Sequence, residues 1–460
     1  MQASPIQFYP KNSKIYPKAI QGRFNDWRWW LVWATQIIFF GGCWLQWDHR
    51  QAILFDISQG RFYLFGLVLW PQDALILAFV MIMAAVGLFW VTAIAGRLFC
   101  GFACPQTVYT SVFMWLEARI EGDHLARKKL ADAPASPRKV LLKTTKHLVW
   151  ALFALWAGLT FLGYFTPMAQ LPVRITQLAL GPWETFWWLF YAAFMYVQAG
   201  LAREAVCQHM CPYSRFQGVM FDAHTRTVTY DAARGEPRGA RKHGEAAHVA
   251  AKGDCVDCGI CVQVCPTGID IRNGLQYQCI NCGLCADACD QVMEKIQAPT
   301  GLIRFASEQE LALVTSPAKA VSVHRPRVWV YGGIMTVVLA ASAVFMWQRQ
   351  TVQMDVLRDR GALVRENVDG NLENAYTLRI SNMVEAPRTY RLRVQGTAGM
   401  RLLGQPVIQA GAGEVVNATV TVVAPADTPH KGALPIEFVI QDTAEAGRHN
   451  RALTTFIYPM

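Results

Sequence analysis

Five uncharged runs leave this chain few ways to fold: Trp29 to Trp47, Ala74 to Ala95, Leu148 to Thr166, Thr185 to Ala202 and Val328 to Trp347. Each is close to the roughly 20 residues a helix needs to cross about 30 Å of hydrocarbon. A helix satisfies its own backbone hydrogen bonds, as lipid requires. The 53% hydrophobic content fits such spans better than it fits one large soluble core. A sixth run, Phe62 to Trp70, is too short to cross and is expected at the membrane interface. The first run starts only at Trp29, is rich in tryptophan and is not followed by small residues at a cleavage site, so it is expected to be retained rather than removed as a signal peptide.

Basic residues orient the spans. Lys11, Lys14, Lys18, Arg23 and Arg28 precede the first, and Arg119, Arg127, Lys128, Lys129, Arg138, Lys139, Lys143 and Lys146 lie between the second and third. The other connections are poor in charge: Arg50 and Arg61 lie between spans one and two, and Arg174 between three and four. The positive-inside rule places residues 1–28 in the cytoplasm and, after five spans, the C-terminus outside. The net charge of +10 is therefore mostly topological. No aromatic-interleaved basic patch accompanies it, so a nucleic-acid partner is not expected.

The connection between spans four and five, residues 203–327, holds CVDCGICVQVCPTGIDIRNGLQYQCINCGLCADAC, with eight of the thirteen cysteines. Structural disulfides are not expected in a reducing cytoplasm. Cys255, Cys258, Cys261 and Cys265-Pro266 read C-x2-C-x2-C-x3-C-P, and Cys279, Cys282, Cys285 and Cys289 repeat the spacing. In two-cluster ferredoxins the first three cysteines of a run hold one 4Fe-4S cluster and the fourth reaches the other. The expected ligand sets are Cys255, Cys258, Cys261 and Cys289 for one cluster, and Cys279, Cys282, Cys285 and Cys265 for the other, within a domain at about 250–297. A pair of zinc sites usually shows separated C-x2-C pairs and fits less well. Asp290 stands where a second proline would be, which removes no ligand. Gly259 and Gly283 allow backbone amides to approach the sulfurs, one lever on cluster potential.

Four more cysteines follow a second pattern. RLFC100GFAC104P comes after span two and REAVC207QHMC211P after span four, so residues 29–202 read as two hairpins that each end in C-x3-C-P, the second reaching 212. The i, i+4 spacing is expected to put both thiols of a pair on one helical face. The proline pushes Cys104 and Cys211 out of the α region, so each pair should sit where one helix stops and another starts. Such thiols could bind a soft metal ion such as Cu(I), cycle as a disulfide or only pack. His209 and Met210 are further possible copper ligands, and Cys43 reads as an ordinary apolar residue.

Two connectors complete the cytoplasmic side. Glu117 to Lys146 is expected as a solvated connector, and Arg226 to Gly253 as a flexible lead-in whose His243 and His248 are solvated. After the fifth span, residues 355–460 contain no cysteine, and alternation at Tyr376, Leu378, Ile380, at Tyr390, Leu392, Val394, at Val416, Ala418, Val420, Val422 and at Ile436, Phe438, Ile440 predicts a periplasmic immunoglobulin-like β-sandwich. The fold class is thus a polytopic helical membrane protein of five spans, with an inserted two-cluster ferredoxin domain and a C-terminal sandwich.

CGFACPQ, CQHMCPYSRFQ, the twin ferredoxin run and the sandwich, in this order, resemble the FixG/RdxA/CcoG cytochrome c oxidase accessory proteins of bacteria, over nearly the whole chain. The C-x3-C-P pairs also occur in membrane quinol dehydrogenases of the NapH and NosR type, so the specificity of the resemblance lies in the combination. The resemblance implies two 4Fe-4S clusters and a cupric reductase role in assembling the cbb-type oxidase, with copper as substrate or transient ligand. Cys100, Cys104, Cys207 and Cys211 would be the copper or electron-relay thiols, and oxidase subunits or copper chaperones the partners. Two other readings stay open: a quinol-linked carrier for another respiratory enzyme, and an assembly scaffold whose clusters are structural. No sequence feature identifies the electron donor.

Overall fold

The computed structural model describes residues 15–48, 50–240, 252–312, 325–359, 364–368, 370–425, 432–444 and 449–459. The chain forms two compact units, one of Met1–Gly66 and Leu75–Leu339, the other of Leu67–Ala74 and Ala340–Met460. His243 and His248 lie outside the described residues.

Among the described residues up to 220, the α-helices are α1 (Arg23–Gly42), α2 (Ala74–Ala95), α3 (Leu98–Phe102), α4 (Pro105–Glu121), α5 (His124–Asp132), α6 (Pro137–Leu162), α7 (Leu171–Thr176), α8 (Pro182–Met195) and α9 (Pro212–Met220). Among the described residues, three helices are long and apolar enough to cross a membrane: Pro71–Ala95, Pro137–Leu162 and Pro326–Trp347. The two other expected spans are built differently. α1 begins six residues before Trp29 and stops at Gly42 rather than at Trp47. The Tyr164 hydroxyl donates to the Phe39 carbonyl at 2.8 Å, and a Cβ at Gly42 would lie 2.5 Å from that hydroxyl, so the chain turns there. Gln46–Trp47 then pairs with Arg50–Gln51. α8 widens into a π-helical segment, Tyr196–Ala202, which ends at Arg203 with φ 46°. The widening leaves Gly200 against the ring of Trp150, where a Cβ would sit 3.1 Å from the indole.

Small residues set the helix spacing. Ala154, Ala157 and Ala192 are buried with Phe113 and Trp150, and a Cβ on Gly158 would lie 2.7 Å from the Trp188 carbonyl, so α6 and α8 approach closely. The short run 62–70 contains strand rather than helix; its first residues belong to a hairpin of Ile53–Asp56 with Arg61–Leu64.

The expected solvated connector 117–146 is mostly folded. α4 runs to Glu121, Asp123 caps α5 by accepting from the Ala126 amide at 2.8 Å, and Ser136 caps α6 by accepting from the Lys139 amide at 3.2 Å. Its charges turn inward because they neutralise one another, as described below.

The lead-in at 226–253 is also partly folded. Thr227–Tyr230 pairs antiparallel with Ile303–Ala306, closing the ferredoxin region around the helices Ile260–Gln263 and Leu284–Lys295. The N-terminal segment ties this region to the helices: the Lys18 amide donates to the Gln263 carbonyl at 2.9 Å, and the Phe24 and Asn25 amides donate to the Asp287 carboxylate at 3.1 and 2.8 Å.

The second unit holds two antiparallel sheets. In one, Arg401–Leu403, Val415–Ala424, Leu372–Asn382 and Val352–Arg358 lie in that order, with Arg365–Glu366 also pairing with Leu372–Asn382. In the other the order is Val407–Ala410, Arg388–Gln395, Ala433–Asp442 and His449–Ile457. Tyr376, Leu378, Ile380, Leu392, Val420, Val422, Ile436, Phe438 and Ile440 meet in one core, as the alternation predicts. The first strand starts at Val352, slightly before the expected boundary at 355. Buried Asn382 accepts from the Tyr390 hydroxyl at 2.9 Å and donates to the Gly411 carbonyl at 2.8 Å, pinning a corner between the sheets.

Candidate iron–sulfur and thiol site

The two cysteine runs fold alike. In CVDCG and CINCG the third residue, Asp257 or Asn281, has φ 54° or 55°, and the glycine, Gly259 or Gly283, has φ 66° or 76°. Asp and Asn tolerate the left-handed region better than other side chains, and glycine does so freely. Each loop then feeds a helix, Ile260–Gln263 or Leu284–Lys295. The glycines were legible in the sequence. The matching Asp and Asn were missed, although aligning the two runs would have exposed them.

Cys255, Cys258, Cys261 and Cys289 line one cavity, with Tyr230, Ala288 and Met293 among its walls. Cys265, Cys279, Cys282 and Cys285 line the other, with Val228, Ile269 and Ile271. Cys261 also borders the second cavity. Among the described residues no three His, Cys, Asp or Glu side chains converge as ligands of a single ion would. Thiols spread around a cavity suit a multi-iron cluster better than a zinc ion. Burial pushes the Cys261 thiol up to about 11 and those of Cys279 and Cys289 to about 12, so these sulfurs give up protons readily only to a bound metal group.

The C-x3-C-P pairs come together beside the second cavity. Cys100 lies in α3, Cys207 in the π turn Val206–Met210, and Cys104 and Cys211 cap α4 and α9 in extended conformations, each followed by proline at the first helical position. The two thiols of a pair therefore do not share one helical face; the proline that follows each second cysteine holds that cysteine extended, off the preceding turn. Burial raises Cys100 to about 12, with Cys104 as the next cause, and raises Cys207 to about 11, with Cys104 and Cys211 next. All four thiols are free. Cys100 Sγ donates to Gln217 Oε1 at 3.5 Å, and Gln217 is fully buried. His209 and Met210 are exposed residues of the same turn, and Cys43 is buried with Leu162, Met168 and Leu171, as an apolar residue would be.

Two features join this quartet to the second cysteine run. A Cβ at Gly101 would lie 2.7 Å from the Ile280 carbonyl and 2.9 Å from Cys282 Cα, so the glycine between the first two thiols lets α3 rest on the loop backbone. Arg97, only 3% exposed, donates to the carbonyls of Tyr277, Cys279 and Ser214, and its charge acts on Cys100, Cys279, Cys211 and Cys207.

Behind the second pair lies a buried ionic network that was not legible from spacing or hydropathy. Glu117, with no exposed surface, pairs with Arg203 at 2.6 Å and with Arg127 and Lys146 at 3.5 Å. Glu121 pairs with Lys143 at 2.8 Å and Lys146 at 3.0 Å. Lys146 and Arg203 also lie over the Trp150 ring, at 4.8 and 5.4 Å. Arg203 opens the REAVC motif, so the network braces the backbone that presents Cys207.

Comparison with known proteins agrees with this arrangement. Residues 77–128 match a family described as a 4Fe-4S binding domain, 202–308 a 4Fe-4S dicluster domain, and 342–459 the IG-like fold at the C-terminal of FixG. Nitrogen fixation protein FixG of Rhizobium meliloti is 36% identical over 86% of this chain and 82% of its own length. Proteins RdxA and RdxB of Cereibacter sphaeroides are 38% and 37% identical, covering 88% and 92% of this chain and 86% and 91% of theirs.

Proposed function

The chain belongs to the FixG family of iron–sulfur electron-transfer proteins, and from that premise we propose that it reduces Cu(II) to Cu(I) at the C-x3-C-P thiols for assembly of a cbb-type oxidase. The observation that carries this reading is the meeting of the four thiols beside the loop of the second cysteine run, where Cys100 packs against the cluster of Ile280 and Cys282 and where Gly101 and Arg97 touch the loop backbone. When bound, the 4Fe-4S groups supply single electrons, which matches a one-electron metal reduction.

The chain's own residues prepare the acceptor side. Thiolates prefer Cu(I) to Cu(II), so a thiol quartet favours the reduced product. Burial keeps Cys100 and Cys207 protonated at neutral pH, so copper binding displaces their protons and the site discriminates against weakly bound ions. Arg97 offsets the negative charge that accumulates as thiolates form. The basic connector meets the N-terminal segment where Arg127 donates to the Pro17 carbonyl at 3.1 Å, which supports a shared cytoplasmic side for both and for the ferredoxin region. On this reading five spans leave the sandwich in the periplasm to dock oxidase subunits or copper chaperones.

The test is anaerobic. Cluster-replete protein is chemically reduced, freed of reductant and given Cu(II), while absorbance and EPR follow the clusters and a Cu(I)-specific chelator reports product. The reading expects matched cluster oxidation and Cu(I) formation, and expects serine at positions 100, 104, 207 and 211 to slow both while iron content stays unchanged. Clusters that remain reduced in the presence of Cu(II) would remove copper from the proposal.

A further inference from the structure

One cavity of the first unit is lined quite differently from the two cysteine cavities. It encloses about 340 Å³, within the roughly 300–1,000 Å³ usual for small-molecule sites. Ile20, Trp29, Val32 and Met114 contribute apolar wall, whereas among the described lining residues Lys18, Arg28, Arg127 and Arg203 are cations and Glu204 is a carboxylate; Glu117 pairs with Arg127 and Arg203 from behind the wall, which leaves a modest excess of positive charge. Arg203 is 3% exposed; Nη2 binds Glu117 and Nε donates to the Gly200 carbonyl, but Nη1 has no hydrogen-bond partner among the described residues. Thr267 and Ile280 belong both to this cavity and to that of the second cysteine run, so one layer of side chains separates them.

These walls select an occupant. The excess of cations opposes a metal ion, which would also find few soft ligands beyond Cys207 and Met114. A small hydrophilic anion would gain little from Trp29 and Val32. An amphipathic ring whose oxygens become more negative as protons leave would use both kinds of wall, and a redox-active one would use the thin partition. We propose that this cavity binds the headgroup of a membrane quinol, with Arg203 Nη1 donating to a ring oxygen, and that the quinol is the electron donor.

Oxidation breaks two O–H bonds and yields the quinone, two electrons and two protons. The acceptors are the two 4Fe-4S groups that the cysteine runs would hold, one electron each, and the protons leave past Glu204 to water. The inference rests on the iron–sulfur assignment and is independent of copper.

The test is binding of decylubiquinone to the detergent-solubilised, cluster-replete protein, read by tryptophan fluorescence and calorimetry without copper or turnover. The expected result is saturable binding at one site per chain, weakened at least tenfold by Ala118→Leu, which fills the cavity from α4, with iron content and melting temperature unchanged. Thr110→Leu serves the same purpose from a neighbouring turn if the first variant loses iron. Anaerobic decylubiquinol is expected to bleach the visible absorption of the oxidised wild type and not of the filled variant. Absence of saturable binding, or equal binding in both filled variants, overturns the proposal. So does retention of phosphatidylglycerol instead of the quinone in native mass spectra, lost on filling, because the cavity is then a lipid site. Failure of chemically reduced wild type to reduce copper while it still binds decylubiquinone would overturn the copper reading and leave this one standing.

Discussion

The two cysteine runs share a loop but not a setting. Around the first, Arg272 acts on Cys261, yet that guanidinium is held by Asp270 at 2.8 Å and also pairs with Asp257, and Asp290 acts on Cys289. Around the second, Arg97 donates to carbonyls and pairs with no carboxylate among the described residues, and Arg28 acts on Cys282, so positive charge stands there less offset than around the first. Positive charge stabilises the reduced form of a nearby centre, more so at low dielectric. The difference teaches that ligand spacing chooses the group, while its neighbours set its potential; on the reading proposed above, electrons would run toward the second run, beside the thiol quartet.

Four variants and one control break or sharpen that contrast. Cys282→Ser has the largest expected effect: iron content falls by about half and copper reduction is lost, while the EPR signal of the first cluster survives. Glu117→Gln comes next, because it strips the carboxylate from Arg203 and Arg127 in the interior, while Lys146 keeps Glu121, and should cost about 3–5 kcal/mol, measured as a lowered melting temperature in detergent. Gly101→Val should leave both clusters in place but push α3 off the Ile280–Cys282 backbone, slowing cluster-to-copper transfer about tenfold in stopped flow; an unchanged rate would show that this contact does not set the path. Arg97→Gln should lower the potential of the second cluster by about 60 mV, one decade in a one-electron equilibrium, with the first unmoved in an EPR titration. Arg272→Gln is the control, expected to shift the first cluster by less, since two carboxylates already offset that charge.

The metal chemistry was legible because it is written in short spacings. The 2-2-3 runs name candidate cluster ligands within a few residues, and the sandwich was legible because alternation recurs in four of its strands. The ends of the membrane helices were not. Hydropathy sees uncharged residues, so it started α1 at Trp29 rather than at Arg23 and carried it past Gly42, where Tyr164, distant in sequence, stops it. The charged stretch 117–146 misled for a related reason: Glu117, Glu121, Arg127 and Lys146 look solvated singly and become buried only as a set.

Local sequence was enough to settle the family, the cysteine partition into two runs, and the strand pattern of the sandwich, since each depends on neighbours a few residues apart. Tertiary structure decided that Cys100 and Cys104 meet Cys207 and Cys211, that Gly101 and Arg97 bind them to the second run, and that Arg203 is braced by Glu117 with one nitrogen left over. Those contacts join residues up to 182 positions apart, and no periodicity or spacing encodes a proximity that only packing creates.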